Sequence, residues 1–109
     1  MESTEGHITF QKKGRYFTLG NLADGKHLLI ALHGYGYLAK YFINKFKELD
    51  LDKYVILCPE GLSRFYQSGT EGRVGASWMT KEDRQTDIED YVNYLDAALD
   101  SFKSTCNFP

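Results

Sequence analysis

The largely apolar run 27–32 stops abruptly at the sequence His33-Gly34-Tyr35-Gly36. A short apolar run bounded by turn residues is typical of a strand that is buried on both faces, as in a parallel sheet. Two glycines directly after it predict a tight turn whose backbone is exposed. Backbone N–H groups at the carboxyl end of such a strand commonly bind an anion or a developing oxyanion. The sequence therefore predicts a ligand site or reaction site at this turn.

A second wholly apolar run, Tyr54–Cys58, is stopped by Pro59. Between the two runs, apolar residues from Leu38 to Leu49 recur at helical spacing. A strand, a crossover helix and a second apolar strand predict a right-handed βαβ unit with parallel strands. The loops that follow the two strands then leave from one edge of the sheet, where ligands of open α/β sheets bind. The turn 33–37 and the loop 59–78 are therefore expected to converge.

The flanking segments extend this α/β pattern. His7–Gln11 alternates apolar and polar residues, and Tyr16–Leu19 follows a turn, which predicts an antiparallel hairpin. Residues 61–75 follow neither the helical nor the strand period, which predicts a long functional or disordered loop. A capping-box pattern begins at Thr86, with residues 80–83 as a rival start, and predicts an amphipathic helix that ends before Asn107.

Composition excludes several functions. The 109 residues carry a formal net charge of −2, which gives no basis for binding nucleic acid. No apolar stretch approaches the roughly 20 residues of a membrane helix, and the polar, acidic start 1–5 argues against a signal peptide, so we expect a cytoplasmic protein. The cysteines, Cys58 and Cys106, are too few for a disulfide scaffold and have no metal-ligand spacing. We expect no metal and no cofactor.

The turn also fits a dinucleotide-binding fingerprint. Residues 34–39 match G-x-G-x-x-A between a strand and a helix, through Gly34, Gly36 and Ala39. Glu60 lies about where an acid that binds ribose is expected. A nucleotide-binding βαβ module is therefore one alternative. A non-catalytic α/β interaction domain that kept the turn without the chemistry is another.

An ordered set of features resembles a known family. These features are the strand that ends in His33-Gly34-Tyr35-Gly36, the helix, Tyr54–Cys58 with Pro59-Glu60-Gly61, the long loop, Ser77-Trp78 and the acidic helix 87–102. The set resembles the N-terminal half of a small serine esterase of the phospholipase/carboxylesterase group, akin to acyl-protein thioesterases. The resemblance covers about residues 8 to 109. It implies the N-terminal part of an α/β-hydrolase sheet (a hairpin, then βαβ, then a helix), with residues 1–109 forming a single incomplete domain.

The resemblance also implies a mechanism and a set of site residues. A serine attacks an ester or thioester carbonyl, a histidine accepts its proton, an aspartate orients the histidine, and two backbone N–H groups bind the oxyanion. The resemblance assigns one of these donors to the Tyr35 N–H, with His33, Gly34 and Gly36 supporting the loop. It places Phe65, Trp78 and Met79 in the pocket for a small ester or acyl substrate.

The nucleophile motif itself is missing. No G-x-S-x-G occurs, and only Ser77 comes near it. By the family's order the serine, aspartate and histidine all lie beyond Pro109, so we expect the full-length protein to be the hydrolase and this chain alone to be inactive. In the family the third strand lies between the fourth and the fifth, so without the fifth Leu28–Leu32 becomes an exposed apolar edge. We expect this edge to pair with the C-terminal half or with a copy of the chain.

Overall fold

The computed structural model describes residues 2–109, and within them the chain is of the α/β class. The elements, in chain order, are β1 (Tyr16–Leu19), β2 (His27–Ile30), α1 (Ala39–Phe42), a 3-10 helix (Ile43–Phe46), β3 (Tyr54–Pro59), β4 (Ser63–Ser68), β5 (Glu71–Ser77) and α2 (Arg84–Lys103). None of the helices in the described part of the chain is both long and apolar enough to cross a membrane.

The central sheet is mixed and has the strand order β1-β3-β2. β2 and β3 are parallel, with Leu29 opposite Ile56, so the predicted parallel pair is confirmed. β1 runs antiparallel to β3, with Phe17 opposite Cys58. β2 therefore forms one edge of this sheet, and its carboxyl end leads directly into the His33 turn.

Residues on alternate sides of the strands fill two separate layers, as the period of two requires. On one face, Ile56 and Cys58 are buried against α1 and the 3-10 helix. On the other face, Val55 and Leu57 are fully buried. α2 packs on this second face, where the Tyr16 ring meets the Phe102 ring edge-on at 5.4 Å. Apolar β3 thus has cover on both sides, in agreement with its uninterrupted apolar sequence.

The predicted N-terminal hairpin is wrong. Residues 2–15 form neither helix nor strand, and β1 pairs with β3 rather than with His7–Gln11. Ile8 and Phe10 are 88% and 74% exposed. A segment with this alternation forms a strand only when its backbone pairs with a neighbouring strand, and residues 7–11 pair with none. The His7 ring is instead hydrogen-bonded to the Asp83 carboxylate at 2.9 Å.

The predicted loop at residues 61–75 is also wrong, because most of it forms an antiparallel hairpin. β4 and β5 pair with Phe65 opposite Gly75, and the register is irregular between Tyr66 and Ser68. Most β4 side chains are exposed on both faces, so the segment shows no apolar alternation to reveal a strand. Gly69 and Gly72 have positive φ near the hairpin end, a backbone conformation that favours glycine.

Both helices depart from their predicted bounds. The first was expected to reach Leu49, but α1 ends at Phe42 and the chain continues as the 3-10 helix. The change occurs at Ile43 and Asn44, which have lower helix propensity than residues such as Ala or Leu. α2 begins at Arg84, closer to the rival start than to the capping box. The Thr86 hydroxyl donates to the Asp83 carboxylate rather than capping the helix. The end of α2 before Asn107 is as predicted.

Candidate functional site

The turn after β2 is closed by a hydrogen bond from the Tyr37 N–H to the Gly34 carbonyl, at 3.2 Å. Its third residue, Gly36, has φ +82°. A positive φ at this position is the mark of a type II turn, which favours glycine. The sequence Gly34-Tyr35-Gly36 thus gives a tight turn at the carboxyl end of a parallel strand.

The buried His33 side chain ties the turn to the end of β3. Its Nε2 accepts a hydrogen bond from the Gly61 N–H at 2.9 Å. Since an acceptor nitrogen carries no proton, the ring proton is on Nδ1, which donates to the Gly34 carbonyl at 2.7 Å. The Trp78 indole N–H donates to the His33 carbonyl at 2.9 Å. His33 therefore links three segments at the site.

The hairpin β4–β5 holds the other side of the turn. The Gly36 N–H donates to the Ala76 carbonyl, and the Ala76 N–H donates to the Tyr37 carbonyl, both at 2.9 Å. The Gln67 amide also donates to the Gly36 carbonyl at 2.6 Å. A Cβ at Gly75 would lie 2.5 Å from the Gly36 oxygen, so this close approach requires glycine. The two loops that the sequence expected to converge do meet, although the second is mostly hairpin.

Tyr35 sits at the tip of this turn and is 69% exposed. Its ring stacks on Phe65, with 5.2 Å between ring centroids. Within residues 2–109 its N–H donates to no acceptor, whereas the N–H groups of Gly36 and Tyr37 both do. The Tyr35 N–H is thus free to bind a group from outside these residues.

Trp78 is a half-buried packing residue between the turn and α2. Its ring stacks on His33 at 5.2 Å and lies 6.4 Å from Tyr94 and 6.0 Å from Tyr91. Burial raises the pKa of Tyr94 to about 12, and its hydroxyl donates to the Arg15 carbonyl. Trp78 thus lies at the turn, where it packs against His33 and supports the turn.

Met79 and Ser77 lie next to Trp78 but are not placed as reacting groups. Met79 is at the surface, and its carbonyl accepts the Ser77 hydroxyl at 2.9 Å. Ser77 is buried, and its hydroxyl proton is used in this local bond. The only serine near a nucleophile motif therefore has a structural hydrogen bond in the described chain.

Glu60 is a buried carboxylate whose hydrogen-bond partners the sequence did not predict. It is 1% exposed, and its two oxygens accept hydrogen bonds from Arg15 (both 2.9 Å), Arg64 (3.1 Å) and the Ala39 N–H (3.2 Å). Burial favours the protonated acid, but these hydrogen bonds outweigh it and hold the pKa of Glu60 below its ordinary value. No sequence signal links Glu60 to Arg15, which lies 45 residues away.

These contacts weigh against the nucleotide alternative. A ribose would need the Glu60 oxygens, and a pyrophosphate would need the N–H groups at the start of α1. The Glu60 oxygens are already engaged, since they accept two arginines and the Ala39 N–H. α1 is moreover only four residues long. The fingerprint at residues 34–39 thus lacks both a free acid for a ribose and a full helix behind the turn.

One cluster has metal-ligand chemistry. Ligand atoms of Glu5, His7 and Asp83 lie within 4.8 Å of one another, all exposed. The hydrogen bond and charge of Asp83 raise the pKa of His7, so the cluster is accounted for as a surface ion pair. Of the two free thiols, burial raises the pKa of Cys58 to about 11, and Cys106 is half-buried.

Within residues 2–109 the chain is of the α/β class, and a turn at the carboxyl end of a parallel strand holds a backbone N–H without an acceptor. Comparisons of the chain with protein-family models, with curated proteins and with solved structures find no significant match. What the site does is therefore inferred from its geometry and from the sequence pattern.

Proposed function

We propose that the turn 33–37 forms half of the oxyanion hole of a serine hydrolase that acts on carboxylic esters or thioesters. The observation that carries this proposal is the Tyr35 N–H, which lacks an acceptor within residues 2–109 while the next two N–H groups in the turn are engaged. An N–H left free at the tip of a fixed turn is what binding a developing negative charge requires.

Rigidity of the turn supports the proposal, because a donor stabilises a transition state best when it needs no reorganisation. His33 fixes the turn from below through Gly34 and Gly61. Ala76 fixes it from the side through two backbone hydrogen bonds. The arrangement requires glycine at three positions that have positive φ or close contacts, which are Gly36, Gly61 and Gly75.

Topology is compatible with the resemblance to the phospholipase/carboxylesterase group. The turn follows a parallel strand, and that strand lies at the edge of the sheet, where the family would add a further strand. In this proposal residues 1–109 are an incomplete α/β-hydrolase domain of a cytoplasmic enzyme. The serine, the histidine and the aspartate come from polypeptide outside these residues, because no G-x-S-x-G occurs within them.

The chain's own part in the reaction is then limited and specific. When the serine attacks the carbonyl carbon, the carbonyl oxygen becomes an oxyanion and accepts the Tyr35 N–H. The stacked rings of Tyr35 and Phe65 offer an apolar surface beside it for the substrate's acyl or alcohol part. Trp78 supports the turn through its hydrogen bond to His33. Met79, at the nearby surface, remains a candidate substrate contact.

A proline at position 35 tests the donor directly. Proline is favoured at the second position of a type II turn, so Tyr35→Pro deletes the N–H while keeping the turn. In the full-length protein we expect kcat on a p-nitrophenyl ester to fall by about 10²–10³. Tyr35→Ala is the matched control, since it removes the ring and keeps the N–H. Equal activity of Tyr35→Pro and Tyr35→Ala would refute the assignment.

Two further observations test the division of the enzyme. Reading the transcript beyond the codon for Pro109 should show an open frame that enters an apolar strand and then G-x-S-x-G, and a stop codon there would refute the proposal. The isolated 109-residue chain should not react with a fluorophosphonate probe. Labelling of any of its serines would place the nucleophile within the chain, contrary to the proposal.

A further inference from the structure

The outer edge of β2 carries backbone groups with no strand beside them. The N–H groups of His27 and Ala31 donate to the carbonyls of Lys53 and Leu57, on the β3 side, at 2.8 and 2.9 Å. In a parallel pair, alternate residues face the same neighbour, so Leu28 and Ile30 direct their N–H and C=O groups to the open side. Within residues 2–109 the sheet ends at this edge.

This edge lacks two common protective devices, although β2 is short, with four residues. Residues 28–32 contain no charged side chain and no proline, which are the common devices that keep sheet edges from pairing. Beside the edge lies a groove of about 430 Å³, lined in part by Leu28, Ile30, Leu99 and Phe108. An added strand here would gain backbone hydrogen bonds and also a place for apolar side chains.

The same chain contains a strand-like segment without a partner. His7–Gln11 has apolar residues at every second position, the pattern of a half-buried strand. Yet it lies outside any sheet, with Ile8 88% and Phe10 74% exposed. The molecule therefore has both an unpaired sheet edge, at β2, and a strand-like segment that pairs with no sheet, at His7–Gln11.

We propose that His7–Gln11 of one chain adds as a strand to the β2 edge of a second copy, with Ile8 and Phe10 in the groove. The contact is head-to-tail, so two copies exchange segments or further copies join in series.

The segment cannot make this contact within its own chain. It leads through only four residues, 12–15, into β1, which lies at the opposite edge of the sheet with β3 in between. The five Cα–Cα steps from Gln11 to Tyr16 span at most about 18 Å, little more than the three strand spacings of about 14 Å that they would have to cross. They would have to cross a sheet face, and α1 covers one face while α2 covers the other. The β2 edge is favoured over the open edge of β1 because the groove, with Leu28, Ile30 and Leu99 in its lining, lies beside β2.

The test is sedimentation equilibrium of the purified 109-residue chain from about 1 µM to about 1 mM, the range of ordinary protein associations. We expect the mass to rise above that of a monomer. Phe10→Ser should weaken association at least about tenfold, since burying a Phe side chain is worth more than one tenfold step in affinity. A chain that stays monomeric at the highest concentration overturns the proposal.

Two proline variants identify the edge. Ile30→Pro removes an outward N–H of β2, and Thr18→Pro is the matched control because Thr18 faces the open side of β1. We expect Ile30→Pro to be monomeric and Thr18→Pro to associate like the parent chain. A mixture of Ile30→Pro and Phe10→Ser should still form mixed assemblies, because one supplies the segment and the other the edge. Dissociation by Thr18→Pro alone, parental association of Phe10→Ser, or no mixed assembly overturns the proposal.

Both proline variants are checked for folding first by far-UV circular dichroism. Phe10→Ser should not affect folding, because Phe10 is outside the core. In the proposed hydrolase a further strand would occupy this same edge, so the inference concerns the 109-residue chain by itself. Its failure leaves the Tyr35 assignment untouched, because that assignment is tested separately by Tyr35→Pro.

Discussion

Replacing Glu60 by glutamine tests how the chain holds its most buried charge. In the native chain one Glu60 oxygen accepts Arg15 Nη2 and the Ala39 N–H, and the other accepts Arg15 Nε and Arg64. Glutamine can keep the first two bonds through its carbonyl oxygen. Its NH₂ group would face the remaining two donors, which lose their acceptor.

The size of the loss follows from these two bonds. A hydrogen bond between charged groups is worth about 1.5–3 kcal/mol, and breaking a buried ion pair costs about 3–5 kcal/mol. The side chains of Arg15 and Arg64 are 41% and 50% exposed, so they regain hydration when Glu60 is neutral. We therefore expect Glu60→Gln to lower the free energy of unfolding by about 2–3 kcal/mol at neutral pH.

The loss should depend on pH. Since the pKa of Glu60 is lowered in the folded chain, the unfolded chain binds more protons at pH values between the two pKa values. The stabilisation is present above the ordinary carboxyl pKa and disappears as the pH falls through the folded value. Glu60→Gln should therefore approach the parent chain in stability at acid pH.

Urea unfolding followed by the fluorescence of Trp78, the single tryptophan, measures both effects. Glu48→Gln is the control, because Glu48 is exposed and the chemical change is the same. We expect this control to stay within about 0.5 kcal/mol of the parent chain. A loss for Glu60→Gln below about 1 kcal/mol, or a loss equal at neutral and acid pH, would refute the reasoning.

Other contacts give sharp expectations. Gly75→Ala should destabilise the chain by about 1–3 kcal/mol in a thermal melt, because its Cβ has no room beneath the turn. Ellman's reagent should modify Cys106 in the native chain and Cys58 only after unfolding, since Cys58 is fully buried with its pKa raised to about 11. Asp83→Asn should lower the pKa of His7 towards its ordinary value in an NMR titration, because the main cause of the raised value is removed.

The parts of the fold that burial determines were predictable from the sequence. β2 and β3 are apolar runs bounded by Gly and Pro, so their parallel pairing followed from pattern and topology alone. The position of the turn at residues 33–37 followed in the same way. These predictions rest on a local signal that tertiary contacts did not override.

The parts that depend on exposed residues or distant partners were not predictable. β4 has polar or exposed side chains on both faces, so no period marks it as a strand. His7–Gln11 has the period of a strand but no neighbour to pair with in its own chain. Glu60 and His33 each have two partners that lie 21 to 45 residues away, and no local rule identifies these. The free Tyr35 N–H likewise depends on where its neighbours find their acceptors.

The contacts of His33 also bear on when the turn becomes ordered during folding. Its bonds to Gly61 and Trp78 join residues 28 and 45 positions apart. The 45-residue separation of the Trp78 contact exceeds the 27 residues between Leu29 and Ile56 in the β2–β3 pairing, so the Trp78 contact should form after that pairing. We therefore expect the Tyr35 N–H to reach its final position late, once the β4–β5 hairpin and Trp78 have docked. A chain interrupted during folding would then have its sheet in place before it has its site.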